Sequence, residues 1–518
     1  MSAEYFIGAD IGTSGTKAVL CGIDGKVRAE ALEEYGLSTP NPAWAEQDAF
    51  YYLDAANRVI ARVVRESGVE PREVKGMCIS GLYGGSGIPL NSQMEPIYPC
   101  IIWMDRRADD ECRQVRKLVP DEEIFDITGN GIDPYFGFAK MLWLKNNRPD
   151  IWAKTHMFLA PNHYVIYKYT GNAVIDHTSA GNLGGIYDMH NHCWSDTMLD
   201  RLGIPKDKLP QKMLAPQDIA GVLTREAAEC LGLWEGMPVC AGCIDCLAST
   251  LATGALYDGQ HVAIISTSIN WGVIHSDFPA NPEYISMPYS KKPRRMIYTY
   301  GGASTAGALL RWFRDDVVPF IPDTDGRPIR SDYKRLDSLA ERISPGSDGL
   351  LILPYFMGER SPIWDTKARG TVLGLTLKHS YAHIYRALLE AVAYSLRHIM
   401  ETSNVDVSAN SSCVLIGGAS RSPLWRQIFA DVTGVPILYS KENVEAPLGD
   451  ALLAAMGTGC AESFDLIKEW VKFENLVQPN TENHDRYTRL FKLYKKVYTS
   501  LKCNMHELTD ICSGEIER

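Results

Sequence analysis

The sequence predicts an α/β protein made of two related domains, with the active site in a cleft between them. The chain has 518 residues, more than one hydrophobic core usually supports, so at least two domains are expected. Strand-like apolar runs alternate with helix-like patterns, as in sheets covered by helices. One strand-and-turn pattern also occurs twice, about half a chain apart. In open sheets of this kind, ligands bind beyond the carboxyl ends of the strands, often between domains.

The first copy of the repeated pattern opens the chain. Residues 5–10 form an apolar run that ends in a glycine-rich turn, and a second β-type run follows over residues 18–21. Asp24 and Gly25 come next, and Asp-Gly between two β-type runs is a strong hairpin signal. We therefore expect the N-terminal domain to begin with an antiparallel meander.

The second copy lies in the C-terminal half. Residues 262–265 form an apolar run that leads into a polar turn at residues 266–268, and a further β-type run covers residues 271–274. Between the two copies, the glycine-containing stretch 251–259 suits a hinge. We place the boundary there, which gives an N-terminal domain of residues 1–253 and a C-terminal domain of residues 254–518.

Helical patterns occupy the sequence between these runs. Apolar residues recur at spacings of three and four over residues 50–67 and 382–400. The tail over residues 461–518 also contains helical stretches, which we expect to pack on a domain surface. No chemistry is assigned to that tail.

Composition and charge exclude several classes of protein. A net charge of -11 and the lack of a basic stripe argue against a nucleic-acid partner. No signal-peptide pattern and no apolar run long enough to span a membrane is found, so we expect a cytoplasmic protein. Thirteen cysteines scattered along the chain fit reduced thiols better than a disulfide framework.

The turn after the first strand has the features of a phosphate-binding loop. Small residues, hydroxyl groups and free backbone N–H groups come together there and could surround polyphosphate oxygens, while a carboxylate could hold Mg²⁺ through water. A plain hairpin turn is the alternative, and the sequence lacks the Gly-Lys-Ser/Thr ending of a Walker A loop. The candidate residues are Asp10, Gly12, Thr13, Ser14, Thr16 and Lys17, with Asp10 as the magnesium residue.

Two segments of the second half could add further phosphate ligands. They are residues 266–268 and the glycine-rich stretch 301–307. Closure of both domains around one nucleotide would expel water, which favours phosphoryl transfer to a substrate over hydrolysis. The candidate residues are Ser266, Thr267, Ser268, Gly302 and Gly307.

A run of cysteines offers a competing interpretation. Cys240, Cys243 and Cys246 have the spacing of part of a zinc or iron–sulfur ligand set. No fourth ligand stands at a customary spacing, and free cysteine commonly behaves as a small buried apolar residue. We therefore favour a structural role for these thiols.

Several short motifs follow one another in a specific order. They are Asp10-Ile11-Gly12-Thr13-Ser14, Trp44-Ala45-Glu46-Gln47-Asp48, Gly358-Glu359-Arg360-Ser361-Pro362, Gly370-Thr371-Val372-Leu373-Gly374-Leu375 and Gly417-Gly418-Ala419-Ser420-Arg421. The first resembles the phosphate motif of the superfamily that contains sugar kinases, actin and Hsp70. Taken together, the five resemble the FGGY family of carbohydrate kinases.

The resemblance implies an ATP-dependent kinase with two RNase H-like domains, and ATP and a small carbohydrate in the cleft between them. Asp245 falls where the family carries its catalytic base, a carboxylate that takes the proton of the attacking hydroxyl. An ordinary aspartate is ionised at neutral pH, so we expect position rather than a large pKa shift to create the base. By sequence alone, Asp245 could instead cap the helix that follows it.

The remaining site residues are also implied by the resemblance. The adenosine-binding element is Gly417, Gly418, Ala419 and Ser420, and the sugar-binding candidates are Leu82, Tyr83, Gly84, Trp103, Asp105 and Asp245. Trp103 could also be an ordinary core aromatic residue, and Arg106 and Arg107 could simply pair with Asp109 and Asp110. The resemblance implies ATP and Mg²⁺ as cofactors, and it leaves open whether the protein forms a homodimer.

The general pattern is most similar to the xylulokinase and gluconokinase branches of the family. Xylulokinases typically carry Gln-Met-His-Gly where this chain has Leu82-Tyr83-Gly84-Gly85, so the methionine and histidine are absent. We expect a ketopentose substrate, with D-xylulose first and L-xylulose, ribulose, gluconate, erythritol or glycerol as alternatives. Two other classes stay open: an actin- or Hsp70-like ATPase, and a sugar-sensing protein without catalysis.

Overall fold

The structure is a computed structural model that describes residues 4–279, 281–322, 325, 327–405, 407, 411–440, 445–473 and 475–513. Its strands are β1 (Tyr5–Ile11), β2 (Gly15–Gly22), β3 (Val27–Glu34), β4 (Glu46–Gln47), β5 (Val74–Gly81), β6 (Ile88–Leu90), β7 (Cys100–Ile101), β8 (Met157–Leu159), β9 (Ile175–Asp176), β10 (Tyr187–Asp188), β11 (Cys193–Trp194), β12 (Met213–Leu214), β13 (Ile219–Val222), β14 (Pro238–Cys240), β15 (His261–Ile265), β16 (Ile269–His275), β17 (Ile285–Pro288), β18 (Ile297–Ala303), β19 (Phe320–Pro322), β20 (Pro328–Arg330), β21 (Leu351–Leu353), β22 (Thr371–Leu373), β23 (Cys413–Gly417), β24 (Ile437–Tyr439) and β25 (Asn475–Val477).

The helices alternate with these strands along much of the chain. They are α1 (Ala49–Ser67), α2 (Asp109–Leu118), α3 (Asp121–Thr128), α4 (Gly137–Asn147), α5 (Pro149–Lys154), α6 (Pro161–Thr170), α7 (His177–Asn182), α8 (Asp196–Leu202), α9 (Arg225–Leu231), α10 (Asp245–Ala252), α11 (Gly307–Trp312), α12 (Tyr333–Ala340), α13 (Tyr381–Thr402), α14 (Pro423–Thr433), α15 (Ala446–Gly457), α16 (Ile467–Trp470) and α17 (Thr481–Ser513).

The chain divides into two compact units. Unit 1 contains the described residues of Met1–Asp258, Ile274–Thr299 and Val444–Lys472. Unit 2 contains those of Gly259–Val273, Tyr300–Asn443 and Phe473–Arg518. Each unit is therefore assembled from three separate stretches of chain.

Unit 1 is built on a six-stranded sheet in the order β13-β14-β5-β1-β2-β3. Strands β1, β2 and β3 form an antiparallel meander, while β5 runs parallel to β1 and β14 runs parallel to β5. The predicted hairpin between β2 and β3 is present, and Gly25 adopts a φ of 74° there. The predicted meander is confirmed.

Unit 2 repeats this arrangement. Strand β15 pairs antiparallel with β16 and parallel with β23, and β24 then pairs parallel with β23. The strand pair β15 and β16 thus corresponds to β1 and β2, and β23 corresponds to β5. Two α/β units of the same design confirm the predicted fold class.

Helix α15 approaches the sheet of unit 1 very closely. A Cβ atom built on Gly8, in the middle of β1, would lie 1.8 Å from the carbonyl oxygen of Pro447. Likewise, a Cβ atom on Gly449 would lie 2.1 Å from the carbonyl oxygen of Ala248 in α10. Glycine at both positions lets the backbones of α15, β1 and α10 pack together without a side chain between them.

The two longest predicted helical patterns correspond to helices α1 and α13. Asp48 caps α1 by accepting a hydrogen bond from the backbone N–H of Phe50, and Gly68 ends the helix with a φ of 67°. In the tail, α17 packs on unit 2, where Tyr355 donates a hydrogen bond to the hydroxyl of Tyr494 at 2.8 Å. Within the described ranges, no helix is long and apolar enough to cross a membrane.

Candidate active site

Unit 1 brings three aspartates to the ends of neighbouring elements. Asp10 lies near the end of β1, opposite Ser80 in the parallel strand β5. The Ser80 hydroxyl donates to Asp450 Oδ2 at 2.6 Å and lies 3.5 Å from Asp10 Oδ1. Asp245 is the first residue of α10 and raises the pKa of Asp10 electrostatically. The site is therefore rich in carboxyl groups.

Burial changes the ionisation of these carboxyl groups. Desolvation and, to a smaller extent, the neighbouring Asp245 carboxylate together raise the pKa of Asp10 to about 8, while Lys17 opposes the rise. Desolvation also raises the pKa of Asp245 to about 6. The expectation that position alone would create the base is thus wrong, because α10 and its surroundings hold the Asp245 carboxyl group partly out of water.

The backbone around Asp245 is fixed by hydrogen bonds to its neighbours. The N–H of Gly81 donates to the carbonyl of Cys243 at 3.0 Å, and the N–H of Ile244 donates to the hydroxyl of Thr178 at 3.2 Å. Asp245 Oδ1 accepts from the N–H of Cys246 at 2.6 Å. The residue at the N-cap position is Ile244, so Asp245 is not the capping residue of α10.

The glycine-rich turn between β1 and β2 is held by three side chains. The hydroxyl of Tyr35 donates to the carbonyl of Gly12 at 2.6 Å, and Gln47 Nε2 donates to the carbonyl of Thr13 at 2.7 Å. The indole N–H of Trp103 donates to the hydroxyl of Thr13 at 3.1 Å. These contacts fix the turn in place before any ligand binds.

The other loop candidates have different environments. Ser14 is exposed at the tip of the turn. Thr16 is fully buried, and its hydroxyl donates to Tyr35 at 3.4 Å. Lys17 Nζ donates to Glu445 Oε2 at 2.7 Å, in an ion pair that is partly exposed. Lys17 therefore lies near Asp10 but already pairs with the carboxylate of Glu445.

The predicted sugar-binding residues lie in the same unit. Leu82, Tyr83 and Gly84 follow β5 and are buried. Gly84 has a φ of 81°, and a Cβ atom there would lie 2.9 Å from Trp103 Cβ and 2.9 Å from the Tyr135 hydroxyl oxygen. The structure thus brings Gly84, Trp103 and Tyr135 together, and Tyr135 was not predicted.

Asp105 is fully buried and forms an ion pair with Arg107. Its carboxylate accepts from Nη2 of Arg107 at 2.7 Å and also accepts a backbone hydrogen bond from Ala45. Arg107 reaches Glu46 at 2.7 Å as well. The alternative that the two arginines pair with acids holds, but Asp109 and Asp110 are not their partners, because Arg107 turns inward to Asp105 and Glu46.

Arg106 and Lys140 are also satisfied within unit 1. Arg106 forms a bidentate pair with Asp133 at 2.6 and 3.0 Å. The buried Lys140 donates to the carbonyls of Gly84, Pro134 and Tyr135 at 2.5 to 2.8 Å. Desolvation lowers the pKa of Lys140 to about 7. One side chain therefore joins two loops that contain candidate sugar-binding residues.

Unit 2 contains a cavity of about 840 Å³. Five of the predicted nucleotide-binding residues line it, and they come from three segments that are far apart in the sequence. They are Ser266, Thr267, Gly307, Gly418 and Ala419. A cavity of this size can hold an adenosine moiety.

The polar turn at residues 266–268 is shaped by backbone hydrogen bonds. The N–H of Gly307 donates to the carbonyl of Ser266 at 2.8 Å, and the N–H of Ala306 donates to the carbonyl of Thr267 at 2.9 Å. A Cβ atom on Gly307 would lie 2.3 Å from the carbonyl oxygen of Ser266. Only glycine allows this approach, which places the start of α11 at the cavity.

The remaining nucleotide candidates of the second half do not line the cavity. Gly302 is buried in β18, and Ser268 follows Thr267 in the polar turn. Gly417 turns the chain after β23 with a φ of 89°, and its carbonyl accepts from the Ser420 hydroxyl at 2.8 Å. A Cβ atom would lie 2.6 Å from the carbonyl oxygen of Ile269 at Gly302 and 2.5 Å from that of Ile265 at Gly417, so both positions require glycine.

One wall of the cavity comes from helix α12, which sequence reasoning missed. Asp337 on α12 accepts hydrogen bonds from Ser422 at 2.7 Å and from Tyr385 at 3.0 Å, and burial raises the pKa of Asp337. Tyr333 lines the same wall. No motif marks α12 in the sequence, and only its amphipathic pattern could have identified it as a helix.

Asp450, which bonds to Ser80, is a further residue that the sequence did not indicate. Desolvation raises the pKa of Asp450 well above its ordinary value, and its bond to Ser80 opposes that rise. Acidic residues on helices are common, so nothing local distinguishes Asp450 from a surface aspartate. Its position depends on where α15 packs.

The cysteine run lies behind the candidate base. Cys240 and Cys243 are buried, and burial raises the pKa of the Cys243 thiol well above its ordinary value. Among the residues that the structure describes, no group of three or more histidine, cysteine, aspartate or glutamate side chains could hold a metal ion. The thiol of Cys240 packs against α15, 3.7 Å from the carbonyl oxygen of Leu453.

Comparison with known proteins agrees with this geometry. Models of the N-terminal and C-terminal domains of the FGGY family of carbohydrate kinases match residues 5–252 and 264–458. The chain is 30% identical to a xylulose kinase of Bacillus subtilis (strain 168), over 96% of this chain and 97% of the relative. It is 27% identical to a gluconokinase of the same organism, over 99% of both chains.

A solved structure extends the similarity to the whole fold. The ligand-bound xylulose kinase from Lactobacillus acidophilus superposes with a TM-score of 0.88 at 26% identity, over 98% of this chain and all of that one. The two family matches and the similarity of the fold therefore agree. The chain belongs to the FGGY family of carbohydrate kinases, which are ATP-dependent sugar kinases.

Proposed function

We propose that this protein transfers the γ-phosphoryl group of MgATP to a hydroxyl of a neutral ketopentose, with D-xylulose as the first candidate. The observation that carries the proposal is the pair of partly buried carboxyl groups, Asp10 and Asp245, at the ends of β1 and the start of α10. The xylulose kinases among the relatives support the choice of sugar. We expect the reaction in the cytoplasm.

The charge around the candidate sugar residues supports a neutral substrate. An acidic sugar such as gluconate would need a cation for its carboxylate. Arg106 pairs with Asp133, Arg107 pairs with Asp105, and Lys140 is bonded to three carbonyl groups. These cations already have partners, so a carboxylate bound beside them would have to break an existing ion pair.

In the proposed mechanism, Asp245 acts as the general base. Its carboxylate takes the proton of the attacking hydroxyl as the sugar oxygen bonds to the γ-phosphorus and the bond from phosphorus to the β,γ-bridging oxygen breaks. The products are a sugar phosphate and ADP. A pKa of about 6 keeps most Asp245 ionised at neutral pH and still makes it more basic than an ordinary aspartate.

Asp10 is the proposed magnesium residue. The fit rests on charge, because repulsion between Asp10 and Asp245, and between Asp10 and Asp450, contributes to the raised pKa of Asp10 and of Asp450. A divalent cation would relieve that repulsion. Asp10 would hold Mg²⁺ through water, and the metal would neutralise charge on the phosphate oxygens.

The proposed nucleotide ligands come from two parts of the sequence. The cavity of unit 2 would take the adenosine, with the polar turn and the 417–420 element around it. Backbone N–H groups of the turn over residues 12–17 would bind phosphate oxygens, and Ser14 would add its hydroxyl. Thr16 and Lys17 would support the turn through Tyr35 and Glu445.

The test is ADP release measured with MgATP and a panel of acceptors. The panel contains D-xylulose, L-xylulose, D-ribulose, L-ribulose, D-gluconate, glycerol and erythritol. We expect the largest kcat/KM with a ketopentose. A rate that no member of the panel stimulates would contradict the kinase proposal, and a preference for gluconate would contradict the neutral substrate.

A variant of the proposed base completes this test. Asp245→Asn keeps the shape of the side chain but removes its ability to accept a proton, so we expect kcat to fall by a factor of about 10² to 10⁴. Sugar and nucleotide binding, measured by calorimetry, should change little. Turnover near that of the wild type would remove Asp245 from the role of base.

A further inference from the structure

A second cavity lies in unit 1, separate in sequence from the residues assigned to sugar and ATP. It has a volume of about 500 Å³ and is lined by His177, by residues of the 213–218 segment and by residues 291–295. Residues 291–295 form the tip of the hairpin between β17 and β18. The function proposed above uses none of these residues.

The hairpin tip concentrates positive charge. Lys291, Lys292, Arg294 and Arg295 line the cavity, and Asp218 is the carboxylate among the lining residues. The protein as a whole has a net charge of -11, so this local excess of cations runs against its overall charge. Such a cluster attracts a small anion with several negative charges.

Most of these cations are available. Lys292, Arg294 and Arg295 are exposed and have no carboxylate within ion-pairing distance in the part of the chain that the structure describes. Lys291 instead lies over the ring of Tyr257, at 3.6 Å from its centroid. Three positive side chains can therefore bind a ligand without breaking an existing ion pair.

The tip is held in place even though its charges are free. The N–H groups of Arg295 and Met296 both donate to the carbonyl of Lys292 at 2.9 Å. Pro293 and Met296 are buried beneath the tip. The cations are thus presented on an ordered turn, which lowers the entropic cost of binding.

The opposite wall offers an acceptor that lacks a donor. Gln217 Oε1 is buried and has no hydrogen-bond partner among the described residues. His177 stands beside it, and burial lowers the pKa of His177 to about 4, so the ring is neutral at physiological pH. A hydroxyl group of the ligand would satisfy Gln217, whereas a bare inorganic anion would not.

The walls of this cavity are connected to the segment that carries the proposed base. The N–H of Ala241 donates to the carbonyl of Asp218 at 2.9 Å, and the N–H of Gly242 donates to the carbonyl of Pro216 at 3.0 Å. Next to His177, the hydroxyl of Thr178 accepts from the N–H of Ile244 at 3.2 Å. Three hydrogen bonds therefore join the wall that contains Gln217 and His177 to residues 241–244.

We propose that this cavity is a regulatory site for a small phosphorylated polyol or sugar, and that its occupancy changes the rate of phosphoryl transfer. The phosphate group binds Lys292, Arg294 and Arg295, and a hydroxyl group donates to Gln217. The ligand acts on the backbone before Asp245 through the wall that contains Gln217 and His177. Its phosphate is not transferred, because no acceptor or base is assigned at this site.

Binding is tested by calorimetry with ribose 5-phosphate as the probe, on the full-length protein saturated with Mg²⁺ and a non-hydrolysable ATP analogue. The analogue fills the phosphate position of the kinase site, so a sugar phosphate cannot bind there as a product. Arg294→Ser/Arg295→Ser should weaken binding by about tenfold or more. Arg62→Ser/Arg65→Ser, which removes two exposed cations from α1, should leave binding unchanged.

Two further probes separate the contributions of charge and hydroxyl groups. Inorganic phosphate should bind more weakly than ribose 5-phosphate, and ribose should not bind detectably. Gln217→Leu should reduce the affinity for ribose 5-phosphate without changing that for inorganic phosphate. Equal affinities in wild type and the Arg294/Arg295 variant, or no binding of any phosphate at millimolar concentration, would overturn the proposal.

Turnover with the preferred sugar tests the regulatory role. Ribose 5-phosphate should change kcat of the wild type by about fivefold or more, and this change should be absent from the Arg294/Arg295 variant. Basal activity of that variant should equal that of the wild type, since neither arginine belongs to the kinase site. Binding without any change in turnover would overturn the regulatory part.

Discussion

Asp245 is the residue whose ionisation should set the pH dependence of the reaction. A base must be deprotonated to work, and burial raises the pKa of Asp245 to about 6. We therefore expect kcat/KM for the sugar to be level above about pH 7 and to fall about tenfold per pH unit well below pH 6. Rate measurements from about pH 4.5 to pH 8 provide the check. If kcat/KM instead falls only near pH 4, the Asp245 carboxyl group is solvated and the prediction is wrong.

Asp10 makes a second prediction, about stability rather than rate. Burial and the Asp245 carboxylate raise its pKa to about 8, above that of an unfolded aspartate. The folded protein then holds a proton that the unfolded chain has lost, so the free energy of unfolding decreases as pH rises from about 4 to about 8. Asp10→Asn removes this ionisation and should abolish magnesium-dependent turnover.

The measurement is thermal unfolding of the wild type and Asp10→Asn without Mg²⁺ at two pH values. At pH 8 we expect the variant to melt about 2 °C or more above the wild type, and we expect a smaller gain at pH 6. Asp24→Asn is the control, because Asp24 lies on an exposed turn beside Lys26 and Arg28. A lower melting temperature for Asp10→Asn at pH 8 would contradict the prediction.

Between elements, Lys140 is the side chain that joins the loop after β5 to the loop before α4. Lys140→Met leaves the carbonyls of Gly84, Pro134 and Tyr135 without this donor, at a cost of about 1 to 3 kcal/mol for each buried group. Because Gly84 and Tyr135 border Trp103, KM for the sugar should rise, whereas KM for ATP should not.

A matched variant on the same helix separates this effect from general destabilisation. Lys145 also donates to backbone carbonyls, those of Leu202 and Gly203, but these groups are not near the candidate sugar residues. Lys145→Met should lower the melting temperature without changing KM for the sugar. If both variants change the two KM values alike, Lys140 has no special role in sugar binding.

The sequence predicts elements well where the signal is local. A few adjacent residues are enough to predict the glycine-rich turn after β1, the Asp-Gly hairpin, and the amphipathic helices α1 and α13. The sequence also predicts part of the lining of the cavity in unit 2, because its phosphate-type turns are recognisable as motifs. The sequence does not predict the surroundings of a candidate residue, as the buried ion pair between Asp105 and Arg107 illustrates.

Contacts between distant segments are what the sequence does not reveal. Asp450 joins the site only because α15 packs on β1 and α10, and the glycines that allow these two approaches, Gly8 and Gly449, are more than 400 residues apart. The raised pKa of Asp245 has the same origin, since desolvation depends on everything packed around a group. No pattern within a short window carries this information.

For the whole molecule, the order of the chain constrains how unit 1 can fold. Helix α15 lies after most of unit 2 in the sequence, yet it packs on β1, β5 and α10 of unit 1. Five consecutive residues of this helix, Ala451, Leu452, Leu453, Ala454 and Ala455, are fully buried. The core of unit 1 is therefore incomplete until residues 446–457 have been made.

This connectivity predicts that residues 1–258 will not form a stable domain alone. Without α15, apolar surface of β1 and β5 would face water, and the close approach at Gly8 would lose its partner. We expect residues 1–258 to show no cooperative thermal transition by circular dichroism. The same fragment joined through glycine–serine linkers to residues 274–299 and 445–472 should regain one. Cooperative unfolding of residues 1–258 alone would show instead that α15 is a dispensable cover, and the closeness of its backbone to β1 would then reflect packing without a role in folding.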